Sequence, residues 1–193
     1  MRHYTVDTNP RTKIYFVLAV ISAATATAVS SGTSLVPFHF TAPSSMFIFA
    51  LLISIFDRFI WKWRMLRWWV GIPNLDGTWS GKLVRLSESN GAPEDHEVSV
   101  TITQDWRKMS IVFEGQRSKS AAEVIALHVE NRKDISIKWI YSAKDRSGIN
   151  PGNLYGQGTT DAWLKVVAGR RTLEGTYYSS KLRKGFIKLV EEG

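Results

Sequence analysis

The chain has 193 residues, a formal net charge of +8 and no cysteine. This length allows one domain, or one small domain with a membrane anchor. The lack of cysteine excludes a disulfide scaffold, a cysteine-based zinc site and a cysteine nucleophile. Seven basic and two acidic residues precede Leu75, so most of the basic excess lies beside the apolar part of the chain. This placement favours a membrane surface over a nucleic acid as its partner, and we expect no DNA or RNA ligand.

A long uncharged stretch follows the first residues. Residues 14–56 contain no Asp, Glu, Lys or Arg, whereas one membrane span requires roughly 20 apolar residues. The stretch therefore predicts two transmembrane helices, at about 14–36 and 44–60, with the turn at Pro37 and Pro43. A cleaved signal peptide is the alternative, since "AVISAATATAVSSG" offers small residues for a cleavage site. The second apolar run and the basic residues on both outer flanks favour the hairpin.

The positions of the basic residues predict the topology. Arg2, Arg11 and Lys13 precede the first helix, further basic residues follow the second, and the connecting loop has none. By the positive-inside rule, both termini are cytoplasmic. We divide the chain into an N-terminal segment (1–13), a transmembrane hairpin (14–61), a juxtamembrane aromatic and basic linker (62–74) and a cytoplasmic barrel (75–193). The stretch "WKWRMLRWWV" is typical of a membrane interface.

The small residues of the first helix, from Ser22 to Ser34, allow close helix packing in lipid. They suit either the hairpin partner or another copy of the chain.

Eight strand-like stretches occupy the rest of the chain. Most alternate apolar and polar residues, as in "HEVSVTIT" and "DISIKWIY". Turn residues separate them. The predicted strands are 76–86, 96–104, 108–115, 119–130, 133–142, 156–167, 170–179 and 183–190. Short strands with hairpin links favour an all-β, eight-stranded antiparallel up-and-down barrel, with a two-sheet sandwich as the alternative.

The alternation also predicts which side chains point into the barrel. Trp79 is the natural interior plug near the first end, which puts Arg85 on the same face at the far end, the mouth. The same counting suggests His96 and gives five candidate ligand-binding residues: Arg85, Tyr141, Tyr177, Ser179 and Arg183. Guanidinium groups bind phosphate oxygens, and tyrosine rings stack on bases. The alternative is that the two arginines turn outward and pair with Glu88 or Glu94. The long link 143–155 is a candidate flap over the mouth.

Signatures of catalysis and metal binding are missing from the sequence. The four histidines have no metal-ligand spacing, and there is neither a nucleophile elbow nor a phosphate-binding loop. We therefore expect a protein that is not an enzyme and that holds no metal or cofactor.

The barrel opens with "LDGTWSGKL" and closes with "LEGTYYSSKLRKGFIKL". With two preceding helices, the chain resembles the two-helix, β-barrel effectors of bacterial cyclic-oligonucleotide antiphage systems (CBASS), the SMODS-associated type. The resemblance implies an inner-membrane effector of antiviral defence whose barrel senses a cyclic dinucleotide made by a partner nucleotidyltransferase. Binding would drive self-association, disruption of the bilayer and abortive infection. The alternatives are a membrane-tethered barrel for a lipid or small ligand without effector activity, and a structural platform without a ligand.

Overall fold

In a computed structural model of the chain, helices come first and long strands follow. The structure describes residues 1–7, 10–33, 44–63, 65–66, 70–86, 93–115, 118–130, 134–145 and 154–192. The chain forms a helical unit, Asn9–Ile72, and a β unit that combines Met1–Thr8 with Pro73–Gly193. The first residues thus belong to the β unit, whereas the sequence suggested a separate segment for residues 1–13.

The helical unit contains α1, Pro10–Thr33, and α2, Ser45–Arg58, followed by a short 3-10 helix, Ile60–Lys62. At 1.5 Å per residue, α1 is about 36 Å long and α2 about 21 Å, against a bilayer core of roughly 30 Å. Within the described residues, α1 alone is long and apolar enough to cross a membrane, over Arg11–Ser31. The structure therefore gives one candidate span. The predicted turn at Pro37 and Pro43 lies outside the described residues, as do Arg64, Arg67, Trp68 and Trp69 of the predicted interfacial belt.

The hydroxyl groups of α1 are bonded within the helix itself. Thr25 and Thr27 donate to the carbonyl oxygens of Ile21 and Ala23, at 2.8 and 3.0 Å. Ser30 and Ser31 do the same one turn later. Such back-bonding satisfies these groups without water or a partner helix, so these four hydroxyl groups are compatible with lipid.

The β unit begins with two short strands, β1 (Arg2–His3) and β2 (Thr5–Val6). Eight longer strands follow after the helical unit: β3 (Gly77–Leu86), β4 (Glu94–Gln104), β5 (Lys108–Glu114), β6 (Ser118–Val129), β7 (Ile135–Asp145), β8 (Leu154–Val167), β9 (Arg170–Ser179) and β10 (Arg183–Glu191).

The eight long strands form a closed antiparallel barrel. Each pairs with its neighbours in the chain, β3 pairs with β10, and β5 pairs with β6. The up-and-down barrel predicted from the sequence is therefore confirmed. The sandwich is excluded because β5 and β6, the outermost of the eight long strands, pair with each other.

Alternation along the strands fills the barrel. Trp79 is fully buried, its indole nitrogen donates to the Leu75 carbonyl oxygen at 3.1 Å, and the Arg171 guanidinium lies 5.5 Å from its ring centroid. Leu173 and Leu189 are also fully buried. Trp79 thus occupies the interior of one end of the barrel, as predicted; this end is called the closed end below.

Gly81 and Gly77, which lie near Trp79 in the sequence, are required by the backbone. A Cβ atom at Gly81 would lie 2.0 Å from the Lys188 carbonyl oxygen, so Gly81 lets the backbone of β10 approach β3. Gly77 has a φ of 145°, which side-chain-bearing residues rarely adopt. Both positions are constrained by the backbone.

Gln104 organises the polar groups of the closed end. Its side chain is fully buried. Its Oε1 accepts from the Leu75 backbone N–H at 2.7 Å, and its Nε2 donates to the Pro73 carbonyl oxygen at 3.1 Å and to the Tyr4 hydroxyl at 3.4 Å. The side chain therefore joins the entry to the barrel with the N-terminal residues of the chain.

The wall of the barrel is incomplete between β5 and β6. These strands pair over only three positions, Val112–Glu114 with Lys119–Ala121, near the end opposite Trp79. Closer to Trp79, β1 pairs antiparallel with β5 and β2 pairs parallel with β6. We call this gap the seam; residues 2–7, the N-terminal segment, occupy it.

Candidate functional site

A cavity of about 550 Å³ lies at the end of the barrel opposite Trp79, the predicted mouth. This volume is in the usual range for small-molecule sites. All eight long strands contribute to its wall, and the hairpin turn between β9 and β10 adds Lys181. Most of the predicted flap, together with residues 87–92 of the neighbouring link, lies outside the described residues.

The five residues that the sequence nominated all line this cavity: Arg85, Tyr141, Tyr177, Ser179 and Arg183. Arg85 and Arg183 come from adjacent strands, since β3 and β10 pair Arg85 with Gly185, two residues beyond Arg183. On β9, Tyr177 and Ser179 face Gly185 and Arg183 in the register with β10. The geometry therefore brings the proposed cationic and aromatic groups together in one pocket.

Two glycines shape the aromatic part of the pocket. A Cβ atom at Gly158 would lie 2.4 Å from the Tyr141 hydroxyl oxygen, and one at Gly185 would lie 2.8 Å from Cε1 of Tyr177. The same atoms would also clash with the backbone carbonyl oxygens of Tyr178 and Val84. Glycine at these positions leaves space for the tyrosine rings and lets neighbouring strands approach.

Both tyrosines are neutral at physiological pH. Burial, and to a smaller extent the nearby Tyr177 phenol, raise the pKa of Tyr141 to about 12. Burial also raises the pKa of Tyr177, while Arg85 and Arg183 act in the opposite direction. The three side chains line the same cavity, so the two positive charges act on the ionisation of Tyr177.

Arg85 both lines the cavity and pairs with a carboxylate. Its guanidinium nitrogen lies 3.3 Å from Oε2 of Glu94, and Nε2 of His96 lies 3.5 Å from the same oxygen. The Arg85 side chain is 27% exposed and that of Glu94 61%. Arg85 therefore lines the cavity while it pairs with Glu94, whereas the sequence presented an inward arginine and this pairing as alternatives.

Several lining residues were not among the sequence candidates. Ser120 and Thr160 are buried polar residues, Trp139 and Phe113 add aromatic surface, and Lys181 adds a cation. Alternation along the strands signals that the four strand residues face inward, but a sequence does not distinguish an inward polar residue of a packed core from one that lines a cavity. Lys181 lies in a turn, where no alternation applies.

Within the described part of the chain, no group of three or more His, Asp or Glu side chains is arranged to hold a metal ion. The described pocket offers cations, phenols, hydroxyls and aromatic faces, together with the carboxylates of Glu94 and Glu97. The cations and the rings suit an anionic ligand with flat rings.

Comparison with protein families places most of the barrel in a known family. The family model "Cap15, cyclic dinucleotide receptor domain" matches residues 70–190, well over half of the chain. No curated protein matches the chain.

Proposed function

Because the chain belongs to the family of Cap15 cyclic dinucleotide receptor domains, we propose that its barrel binds a cyclic dinucleotide in the mouth pocket. The observation that carries this proposal is the lining of the cavity, which combines Arg85 and Arg183 with the buried Tyr177 and the half-buried Tyr141. A cyclic dinucleotide presents two phosphate groups and two flat bases, which are the complements of such groups.

Each nominated side chain has a role in this proposal. Arg85 and Arg183 bind phosphate oxygens through charge-assisted hydrogen bonds, which are stronger than neutral ones. Tyr141 and Tyr177 present ring faces to the bases. Ser179 donates or accepts a hydrogen bond at the edge of the ligand.

The same proposal extends to the whole chain as an effector of CBASS antiphage defence. A partner nucleotidyltransferase supplies the ligand, and binding drives self-association and disruption of the bacterial inner membrane, which ends in abortive infection. Two spans, with both termini and the barrel in the cytoplasm, form the anchor. The apolar helix α1 supports membrane attachment, and the family supports the ligand class. A ligand drives assembly only by binding the associated state more tightly than the resting state.

Calorimetry on the detergent-solubilised full chain tests the ligand assignment. A panel of cyclic di-AMP, cyclic di-GMP and cyclic GMP–AMP identifies the preferred ligand. Arg85→Ala and Arg183→Ala should each lower its affinity roughly 10- to 100-fold, the range for losing a hydrogen bond to a charged group. Arg170→Ala is the matched control, because Arg170 is exposed and outside the pocket. Unchanged affinity in both pocket variants would overturn the site. A lipid recovered from the native protein, with no response to any cyclic dinucleotide, would favour a lipid carrier instead.

A further inference from the structure

The N-terminal segment completes the wall of the barrel. In the sequence, the whole helical unit lies between this segment and the eight long strands. Arg2 and His3 face Met109 and Lys108 of β5, and Thr5 and Val6 face Ala126 and Leu127 of β6. The family match covers residues 70–190 and so excludes this segment. The receptor therefore uses a wall element from outside its matched region.

Specific contacts hold the segment in the seam. The Tyr4 side chain is 1% exposed, and its hydroxyl donates to the Trp106 carbonyl oxygen at 3.1 Å. Oδ1 of Asp7 accepts from the Val129 backbone N–H at 3.0 Å, and the Asp7 carboxylate also pairs with His128. The paired strands are only two residues each, so the seam is a specific acceptor for a short strand with a central buried tyrosine.

The segment is tied to α1. Only residues 8 and 9 separate Asp7 from Pro10, where α1 begins. Three residue steps join Asp7 to Pro10, and three extended steps span roughly 11 Å at most. If the start of α1 moves farther from Asp7 than this length, the segment must leave the seam.

The seam is also continuous with the ligand pocket. Phe113 of β5 faces Ser120 of β6 within the three-residue pairing that joins these strands. Both side chains line the cavity. A ligand in the pocket therefore contacts the two strands between which the segment is held.

We propose that the seam is a strand-exchange site, which accepts residues 2–7 of a second copy of this chain when the ligand drives assembly. An emptied seam leaves the strand edges of β5 and β6 unpaired, and unpaired edges bind other strands. The same segment from a neighbouring copy restores every contact, including the burial of Tyr4, so exchange costs little beyond the opening itself. Anchoring in one membrane raises the effective concentration of the donor. The inference rests on the proposed ligand-driven self-association.

Two single-cysteine chains test the exchange, because the natural chain has no cysteine. His3→Cys and Lys108→Cys are exposed register partners. Chains with each substitution and different tags are reconstituted together and oxidised with or without the preferred cyclic dinucleotide. We expect the mixed-tag disulfide dimer to rise at least several-fold with ligand, together with assembly measured by light scattering. His3→Cys with Lys119→Cys is the control, because Lys119 is exposed but pairs with Glu114 and not with β1.

A chain with both substitutions provides the second measurement. Without ligand, His3→Cys and Lys108→Cys in one chain should form an internal disulfide, and the locked chain should bind ligand but fail to assemble. Assembly of the native chain without the mixed dimer, or assembly of the locked chain, would overturn exchange and leave the proposed function intact. Ligand binding without any assembly would overturn self-association and exchange together.

Discussion

The polar groups at the two ends of the barrel differ in their burial and in their partners. At the closed end, the fully buried side chain of Gln104 is hydrogen-bonded to Leu75, Pro73 and Tyr4. At the mouth, Arg85 is paired with Glu94, whose side chain is 61% exposed. A buried polar group without a partner costs free energy, whereas a partly exposed ion pair exchanges its partner readily. The closed end therefore stabilises the fold, whereas the mouth remains available for a ligand.

The sharpest test of this division is Trp79→Ala at the closed end. Removing a fully buried indole leaves a cavity and typically costs about 3–5 kcal/mol, and here it also removes the hydrogen bond to the Leu75 carbonyl oxygen. We expect the free energy of unfolding, measured with urea, to fall by that amount.

Trp163→Ala is the matched control, because Trp163 is 46% exposed on the outside of β8. Its loss should cost well under half as much. If the two substitutions cost the same, the closed end would not be the main stabilising region.

Alkaline pH should lower the stability of the protein through Tyr141, which lines the mouth. The folded-state pKa of Tyr141 is raised to about 12 by burial, whereas the unfolded chain ionises near 10. The folded state therefore retains the proton longer. This contribution to stability is fully present below pH 10 and is lost as the pH rises toward 12. We expect the free energy of unfolding, measured with urea at successive pH values, to fall over this range, and less steeply in Tyr141→Phe.

Tyr178→Phe is the control for this titration, because Tyr178 is adjacent to Tyr177 but is 58% exposed. Equal pH dependence in both phenylalanine variants would contradict the burial of Tyr141 as the cause.

The sequence predicted the barrel because each strand follows a simple period. Alternation from Trp79 leads to Arg85, which lines the cavity, and the pairing of β3 with β4 has no irregularity between these residues. In β6 the register shifts between Ala122 and Val124, so the inward positions change from even to odd numbers. A sequence does not mark such a bulge, because it arises from strand bending and not from composition.

The N-terminal strands were beyond prediction for a related reason. β1 and β2 have two residues each, too few to show a period, and their partners lie more than 100 positions along the chain. These residues form strands only because the folded barrel leaves a gap between β5 and β6, where they pair. Sequence patterns therefore reveal the walls of the barrel but not the element that completes its seam.

The smallest expected effect concerns Glu94, a carboxylate that lines the pocket. Glu94 lies 3.3 Å from the Arg85 guanidinium, so it competes with an anionic ligand for the same cation. Glu94→Gln keeps the shape and removes the charge. Because exposed ion pairs contribute about 0–1 kcal/mol, affinity for the cyclic dinucleotide should rise roughly two- to five-fold in calorimetry, and more at low salt because screening is weaker.

Glu174→Gln is the control, since Glu174 pairs with Lys165 and Lys188 away from the cavity. Weaker binding in Glu94→Gln would contradict competition and would make Glu94 a ligand contact, which would extend the binding surface of the mouth beyond its cations and aromatic rings.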